Sequence, residues 1–185
     1  MSKIIHDPTT ALYPVPAVLV SCGTDLSANI ITLAWVGTLC SDPPMIGIGV
    51  RPSRHSHRLI EEVGEFVVNL PTADQVEWVD YCGTVSGRDE DKWAACSFNR
   101  SPGAEVEVPI IAECPVNIEC RVEKTLSLGS HDLFIGRVVA VQMDEAVLDQ
   151  REKFDAAKAS LFAYVSGDYR RVGEPLGTHG FSKSR

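Results

Sequence analysis

The chain has 185 residues, 44% of them hydrophobic and 23% charged, which is typical of a single globular domain. Its 17 basic and 25 acidic residues give a net charge of −8, which disfavours a nucleic-acid partner because phosphate contacts need a dense basic surface. No apolar run reaches the roughly 18 residues of a membrane span, and the N-terminus meets a charge and a proline too early for a signal peptide. We therefore expect a cytoplasmic protein with no membrane partner.

Apolar and β-branched residues recur with a period of two through most of the chain, and this period predicts strands. In chain order, the predicted strands are Val15–Cys22, Ile30–Cys40, Met45–Val50, Glu65–Leu70, Val116–Thr125 and Leu133–Met143. The last of them is long enough to bend between two faces of a barrel. A further strand near the C-terminus carries Phe162 and Tyr164.

Three helices are predicted between the strands. The first has Ser53 or Ser56 as its N-cap and ends at Val63, before Gly64; the others cover Ala73–Tyr81 and Glu90–Cys96. Strands and helices do not alternate, and neither GxGxxG nor GxxxxGK[ST] occurs, so a parallel nucleotide-binding sheet is disfavoured. A mainly β fold fits better, with a closed or nearly closed antiparallel barrel and helices packed outside it.

The six cysteines, at positions 22, 40, 82, 96, 114 and 120, form no CxxC pair. This spacing argues against a zinc site or a thioredoxin-type redox pair, and we expect mostly free thiols. The closest histidines, His55 and His57, have no third ligand at a suitable spacing, so no metal site is predicted.

The stretch from Asn29 to His57 is the most informative part of the sequence. Its first strand mixes small and polar residues with apolar ones, which leaves room for a flat molecule against exposed backbone. Arg51–Arg58 follows, with three arginines in eight residues at a predicted helix start, a pattern suited to a phosphate. Each feature alone also fits a barrel corner or a solvated basic face, but their adjacency favours a flat ligand that carries a phosphate.

The sequence resembles the flavin reductase-like, FMN-binding split-barrel family, and especially its flavoredoxin branch. The resemblance runs from about Tyr13 to Phe181. It is carried by Asn29–Trp35, Asp42-Pro-Pro44, Arg51-Pro-Ser-Arg54, Gly87–Trp93 and Gly129–Gly136. It implies a split β-barrel of Greek-key type with outer helices, formed by a single flavin reductase-like domain over residues 1–185. Residues 13–170 would form the barrel, and the glycine-rich tail of residues 171–185 could be an arm that crosses to the partner in a homodimer.

Site residues follow from the resemblance position by position. The isoalloxazine ring of FMN would contact Thr32, Ala34, Trp35, Thr38 and Cys40, with Asn29 at the ribityl or phosphate end. The phosphate would bind Arg51, Ser53, Arg54 and His57. Lys92 is implied as a further positive contact to the cofactor, from the same chain or across a dimer interface.

The resemblance also implies residues near the reactive face of the flavin. His131 is the candidate catalytic residue, which would steer a nicotinamide or a proton. Phe162 and Tyr164 would be aromatic walls of the site. Without the resemblance, His131 would be read as a solvated loop histidine, and Trp35 equally well as a core aromatic.

The function implied is that of an FMN-binding oxidoreductase, which transfers hydride or electrons between NADH or NADPH, or a redox-protein partner, and the bound flavin. The alternative is a flavoredoxin-type FMN electron carrier without significant NAD(P)H turnover. A third possibility is a split-barrel module that binds another planar cofactor such as haem, or none. The sequence contains no distinct nicotinamide-binding motif that would separate the first two.

Overall fold

The computed structural model describes residues 2–184; Met1 and Arg185, the last residue of the predicted tail, lie outside the described residues. Within that range the chain forms eleven strands and three α-helices. The strands are β1 (Val18–Cys22), β2 (Asn29–Leu33), β3 (Val36–Ser41), β4 (Pro44–Val50), β5 (Glu65–Leu70), β6 (Arg100–Ser101), β7 (Ile110–Ile111), β8 (Val116–Ser127), β9 (Asp132–Met143), β10 (Phe162–Val165) and β11 (Asp168–Arg171). The helices are α1 (His55–Val63), α2 (Val76–Thr84) and α3 (Lys92–Ala95).

Seven strands form one antiparallel sheet in the order β2-β1-β5-β8-β9-β4-β3. A flat sheet of seven strands would be about 29 Å wide. Its two edge strands, β2 and β3, are joined only by Ala34 and Trp35, a link that spans at most about 11 Å. The sheet must therefore curl until its edges approach each other, which confirms the predicted split-barrel fold.

The place where the two edges approach, which we call the seam, consists of Ala34 and Trp35. There the Gly49 N–H of β4 donates a hydrogen bond of 2.8 Å to the Trp35 carbonyl. The sequence predicted one strand over Ile30–Cys40, but the structure has two strands there, β2 and β3, separated by the seam. The physical reason is that the two halves pair with different neighbours, β2 with β1 and β3 with β4.

The interior of the barrel is filled by apolar side chains from alternate positions of the strands. Phe66, Phe134 and Ile48 are completely buried there. Gly136 of β9 makes room for Phe66, because a Cβ atom at position 136 would lie 2.6 Å from Cζ of Phe66 and 2.9 Å from Cβ of Cys120. The core thus depends on a large ring packed directly against a strand backbone.

Helices α2 and α3 pack on the outer face of the barrel, as predicted, whereas α1 contributes Leu59 and Ile60 to the interior cluster that contains Phe66 and Phe134. Gly64 ends α1 in the left-handed conformation, with φ 73°, whereas the N-cap position is Arg54 and not the predicted Ser53 or Ser56. A 3-10 turn, Ala73–Gln75, precedes α2, and the Asp91 side chain caps α3 by accepting from the backbone N–H groups of its first turn. Among residues 2–184, no helix is long and apolar enough to cross a membrane.

Candidate functional site

Two adjoining cavities lie along β2, and the larger of them is at the seam. The larger, which we call the wide cleft, has a volume of about 930 Å³, and the smaller, the narrow cavity, about 340 Å³. They share the lining residues Ile31, Arg54 and Gly83, so they form one crevice with a roomy end and a tight end. The size of the wide cleft is typical of cofactor and substrate sites.

The backbone at the seam offers hydrogen-bonding groups to the wide cleft. Apart from the bond to the Trp35 carbonyl, Ala34 and Trp35 make no backbone hydrogen bond within residues 2–184. Their remaining N–H and C=O groups stand outside the sheet ladder and can pair with the polar edge of a ligand. The Thr32 hydroxyl beside them donates to the Val79 carbonyl at 2.5 Å, which fixes β2 against α2.

Polar and positive groups dominate the narrow cavity. It lies at the N-terminal end of α1, where Ser53, Arg54 and Ser56 line it. Asn29 Nδ2 donates to Ser56 Oγ at 2.9 Å, and Arg88 Nη1 donates to the Ser53 carbonyl at 3.2 Å. The guanidinium of Arg88 keeps further N–H donors free for a ligand. The positive end of the helix dipole adds to the attraction for an anion.

Lys92 forms the floor of the narrow cavity and is only 3% exposed. Its ammonium donates to the Ile30 carbonyl at 2.9 Å and to the Cys82 carbonyl at 2.7 Å. An ammonium has three N–H donors, so one remains available. Burial lowers the pKa of Lys92, and the nearby Arg54 lowers it further. An anion in this cavity would relieve that penalty, because it supplies the negative charge that the buried ammonium lacks.

His131 and Trp35 stand together on the wall of the wide cleft. Their rings meet edge to face, with 4.4 Å between centroids, and Trp35 is 48% exposed. A hydrogen bond of 2.9 Å joins Ser130 Oγ and His131 Nδ1, so Nε2 has no partner within residues 2–184. Burial lowers the pKa of His131, and the positive charges of Arg51 and Arg54 lower it further. Both effects favour the neutral imidazole.

Most of the residues predicted for the site line this crevice. The wide cleft brings together seven of them: Thr32, Ala34, Trp35, Arg51, Arg54, His131 and Tyr164. The narrow cavity is lined by Asn29, Ser53, Lys92 and again Arg54. Lys92 reaches it within its own chain. Arg51 was predicted to bind phosphate together with Ser53 and Arg54, but it lines the wide cleft and not the narrow cavity.

Four predicted residues lie outside both cavities. His57 is buried, and its ring nitrogens are taken by Asp132 at 2.8 Å and Glu61 at 3.2 Å, so it ties α1 to β9 instead of facing a phosphate. Thr38 and Cys40 sit on the edge strand β3, beyond the seam. Phe162 packs into the core cluster between the sheet and the outer helices.

Sequence reasoning missed several residues of the crevice. The segment Thr9–Tyr13, before the first strand, forms one wall of the wide cleft, and Arg88, Ser86, Ser56 and Gly83 line the narrow end. The Thr9–Tyr13 segment carries no motif, so only the fold shows that it lines the cleft. Arg88 lies inside the Gly87–Trp93 piece, which the sequence analysis had singled out without assigning this residue a role.

The donor set of the crevice fits FMN. A phosphate dianion matches the arginines, the lysine and the helix terminus of the narrow cavity. A flat ring matches the wide cleft, with its apolar lining from Ile31, Leu33 and Trp35 and its free backbone groups at the seam. Within residues 2–184 no group of histidine, cysteine or carboxylate side chains could hold a metal ion.

Known proteins share both the sequence pattern and the fold. Residues 10–173 match the family described as "Flavin reductase like domain". A flavoredoxin from Methanosarcina acetivorans has a TM-score of 0.93 at 34% identity, covering 100% of this chain and 99% of its own. Flavoredoxin of Desulfovibrio vulgaris (Miyazaki F) has a TM-score of 0.91 at 32% identity, with 100% of both chains covered.

A more distant structure adds a ligand-binding comparison. An FMN-binding protein from Thermus thermophilus with bound 1-cyclohex-2-enone has a TM-score of 0.80 at 27% identity, covering 96% of this chain and 99% of its own. The family match spans most of the chain, and both flavoredoxins cover it fully. The chain therefore belongs to the flavin reductase-like family.

Proposed function

We propose that the chain binds one FMN, with the phosphate in the narrow cavity and the ring in the wide cleft, and that it acts as an oxidoreductase. It would transfer hydride or electrons between NAD(P)H, or a redox partner, and the bound flavin. The observation that carries the proposal is the junction of the two cavities at Arg54, which joins a flat, mainly apolar cleft to a cationic pocket. FMN supplies the redox chemistry, and the protein supplies binding and orientation.

The residues of the narrow cavity hold the phosphate end in this proposal. Arg54, Arg88 and Lys92 provide positive N–H donors, and Ser53 and Ser56 provide hydroxyl groups at the start of α1. Asn29 is held by its bond to Ser56 and stands at the phosphate or ribityl end. Charge-assisted hydrogen bonds to a dianion fix both its position and its orientation.

The seam orients the ring. The free backbone groups of Ala34 and Trp35 face its polar edge, and Tyr164 and Trp35 limit the cleft on its sides. His131 stands at the same wall with no partner at Nε2 within residues 2–184 and with a pKa lowered by burial and by the nearby arginines, so it can exchange a proton with a group in the cleft. We propose it as the catalytic residue.

The electron-carrier alternative uses the same FMN site and differs in the second reactant. We propose turnover of a small reductant as the main function, because the Thr9–Tyr13 segment gives the wide cleft a further wall beside the ring, against which a small molecule can bind. We also propose a homodimer, supported by the exposed edge strand β3 with Leu39 at 51% exposure.

The test compares FMN with riboflavin, which has the same ring and no phosphate. Fluorescence titration of the flavin-free chain should show much tighter binding of FMN, and Arg54→Gln should weaken FMN binding about 10- to 100-fold while changing riboflavin binding little. Arg58→Gln is the matched control, since Arg58 is exposed on α1, pairs with Glu62 and lines neither cavity. Equal affinity of the wild type for both flavins would refute the phosphate site.

A further inference from the structure

The wide cleft carries positive charge that the proposed phosphate site does not use. Arg51 and Arg54 both line it, and neither side chain has a hydrogen-bond or ion-pair partner within residues 2–184. Arg54 also reaches the narrow cavity, where a phosphate would pair with it, whereas Arg51 does not. The guanidinium of Arg51 is thus without a partner in the wide cleft, where we propose that the flavin ring binds.

The charge balance of the cleft is opposite to that of the whole chain. The protein has a net charge of −8, yet no aspartate or glutamate is among the described residues that line the wide cleft. Its ionisable lining groups are the two arginines, His131 and the phenols of Tyr13 and Tyr164. An acidic protein that keeps carboxylates out of one cleft creates a local field which attracts anions.

Arg51 lines the same cleft as Trp35 and His131. Its positive charge also contributes to lowering the pKa of His131. An anionic group on Arg51 would place the rest of a small planar molecule beside Trp35 and His131, at the wall where we propose that reaction occurs. A bidentate guanidinium contact would fix the direction of such a molecule.

From these observations we propose that the second ligand of the cleft is a small planar organic anion, and that Arg51 selects it by binding its carboxylate or phosphate group. This inference rests on the proposed function, because it takes the ring of FMN as the first occupant. It assigns Arg51 a role separate from cofactor binding. Arg51 is thus a specificity-determining residue, whereas Arg54, Arg88 and Lys92 hold the cofactor.

The test uses three redox-inert probes of similar shape: benzoate, phenyl phosphate and the neutral benzamide. Their binding to the FMN-loaded protein is followed by the NMR signals of the His131 ring, which requires no turnover. The wild type should bind benzoate or phenyl phosphate about tenfold more tightly than benzamide, and the stronger of the two anions identifies the preferred group. Arg51→Gln should remove this preference and leave benzamide binding unchanged.

Two variants complete the design. Arg51→Lys keeps the charge and should keep most of the preference, and Arg58→Gln removes one exposed positive charge outside the cleft and should change nothing. Equal binding of charged and neutral probes by the wild type would overturn the inference, as would an FMN affinity that falls in Arg51→Gln as it does in Arg54→Gln. Either result would leave FMN binding by the wild type, and so the proposed function, standing. Failure of the wild type to bind FMN would instead refute the proposed function.

Discussion

Asn29 and Gly87 approach each other so closely that the narrow cavity depends on the missing side chain at Gly87. A Cβ atom there would lie 2.2 Å from Asn29 Oδ1, so Gly87→Ala must displace the Asn29 side chain and its bond to Ser56. We expect FMN affinity to fall at least about tenfold, as measured by flavin fluorescence titration. Gly173→Ala has open space around it and serves as the control. Unchanged FMN binding by Gly87→Ala would show that Asn29 does not organise the site.

The ionisation of His131 reports on the charge of the wide cleft. The pKa of His131 is lowered mainly by burial and further by Arg51 and Arg54. In the flavin-free protein we therefore expect a His131 pKa below the ordinary histidine value of 6.5. Arg51→Gln removes one of the positive neighbours and should raise this pKa, while Arg58→Gln should leave it in place. NMR titration of the His131 ring measures both. A wild-type pKa above 6.5 would contradict the cationic cleft.

Among the elements, β9 depends on Gly136, where the strand passes directly over the ring of Phe66. A Cβ atom at Gly136 would meet both Phe66 and Cys120, and a buried aromatic ring has little room to move. Gly136→Ala should lower the free energy of unfolding by about 1–3 kcal/mol in chemical denaturation. Gly37→Ala, on the edge strand with nothing within 4 Å, should stay within about 0.5 kcal/mol of the wild type. Equal stability of the two variants would contradict this packing.

The regular spacing of apolar residues predicted the individual strands and helices, but it did not predict which strands pair with each other. Glu65–Leu70 matches its predicted bounds because it is a continuous apolar strand whose four central residues are buried, on both faces of the sheet, and Gly64 ended α1 as expected. The break at Ala34 and Trp35 could not be read from the sequence, because it arises from a change of pairing partner between distant strands. Likewise, Cys82 and Cys96 lie 3.7 Å apart at their sulfur atoms although 14 residues separate them.

At the scale of the whole molecule, the crevice collects residues from the N-terminal segment, β2, the seam, the start of α1, the α2–α3 region, the turn before β9, and β10. The sequence indicated a phosphate-bearing flat ligand because Arg51, Ser53 and Arg54 are adjacent to the small-residue strand. It could not separate Arg51 from Arg54, because only the folded barrel turns one toward the ring end and the other toward both cavities. For the same reason it could not show that His57 points to Asp132.

The central claim is that this barrel holds one FMN in the crevice at its seam. The most direct measurement is the absorption spectrum of the freshly purified protein, followed by heat release and identification of the chromophore. We expect oxidised-flavin bands near ~375 and ~450 nm and about one equivalent of released FMN per chain. A colourless protein that also fails to bind added FMN would contradict the account and leave only the split-barrel fold in place.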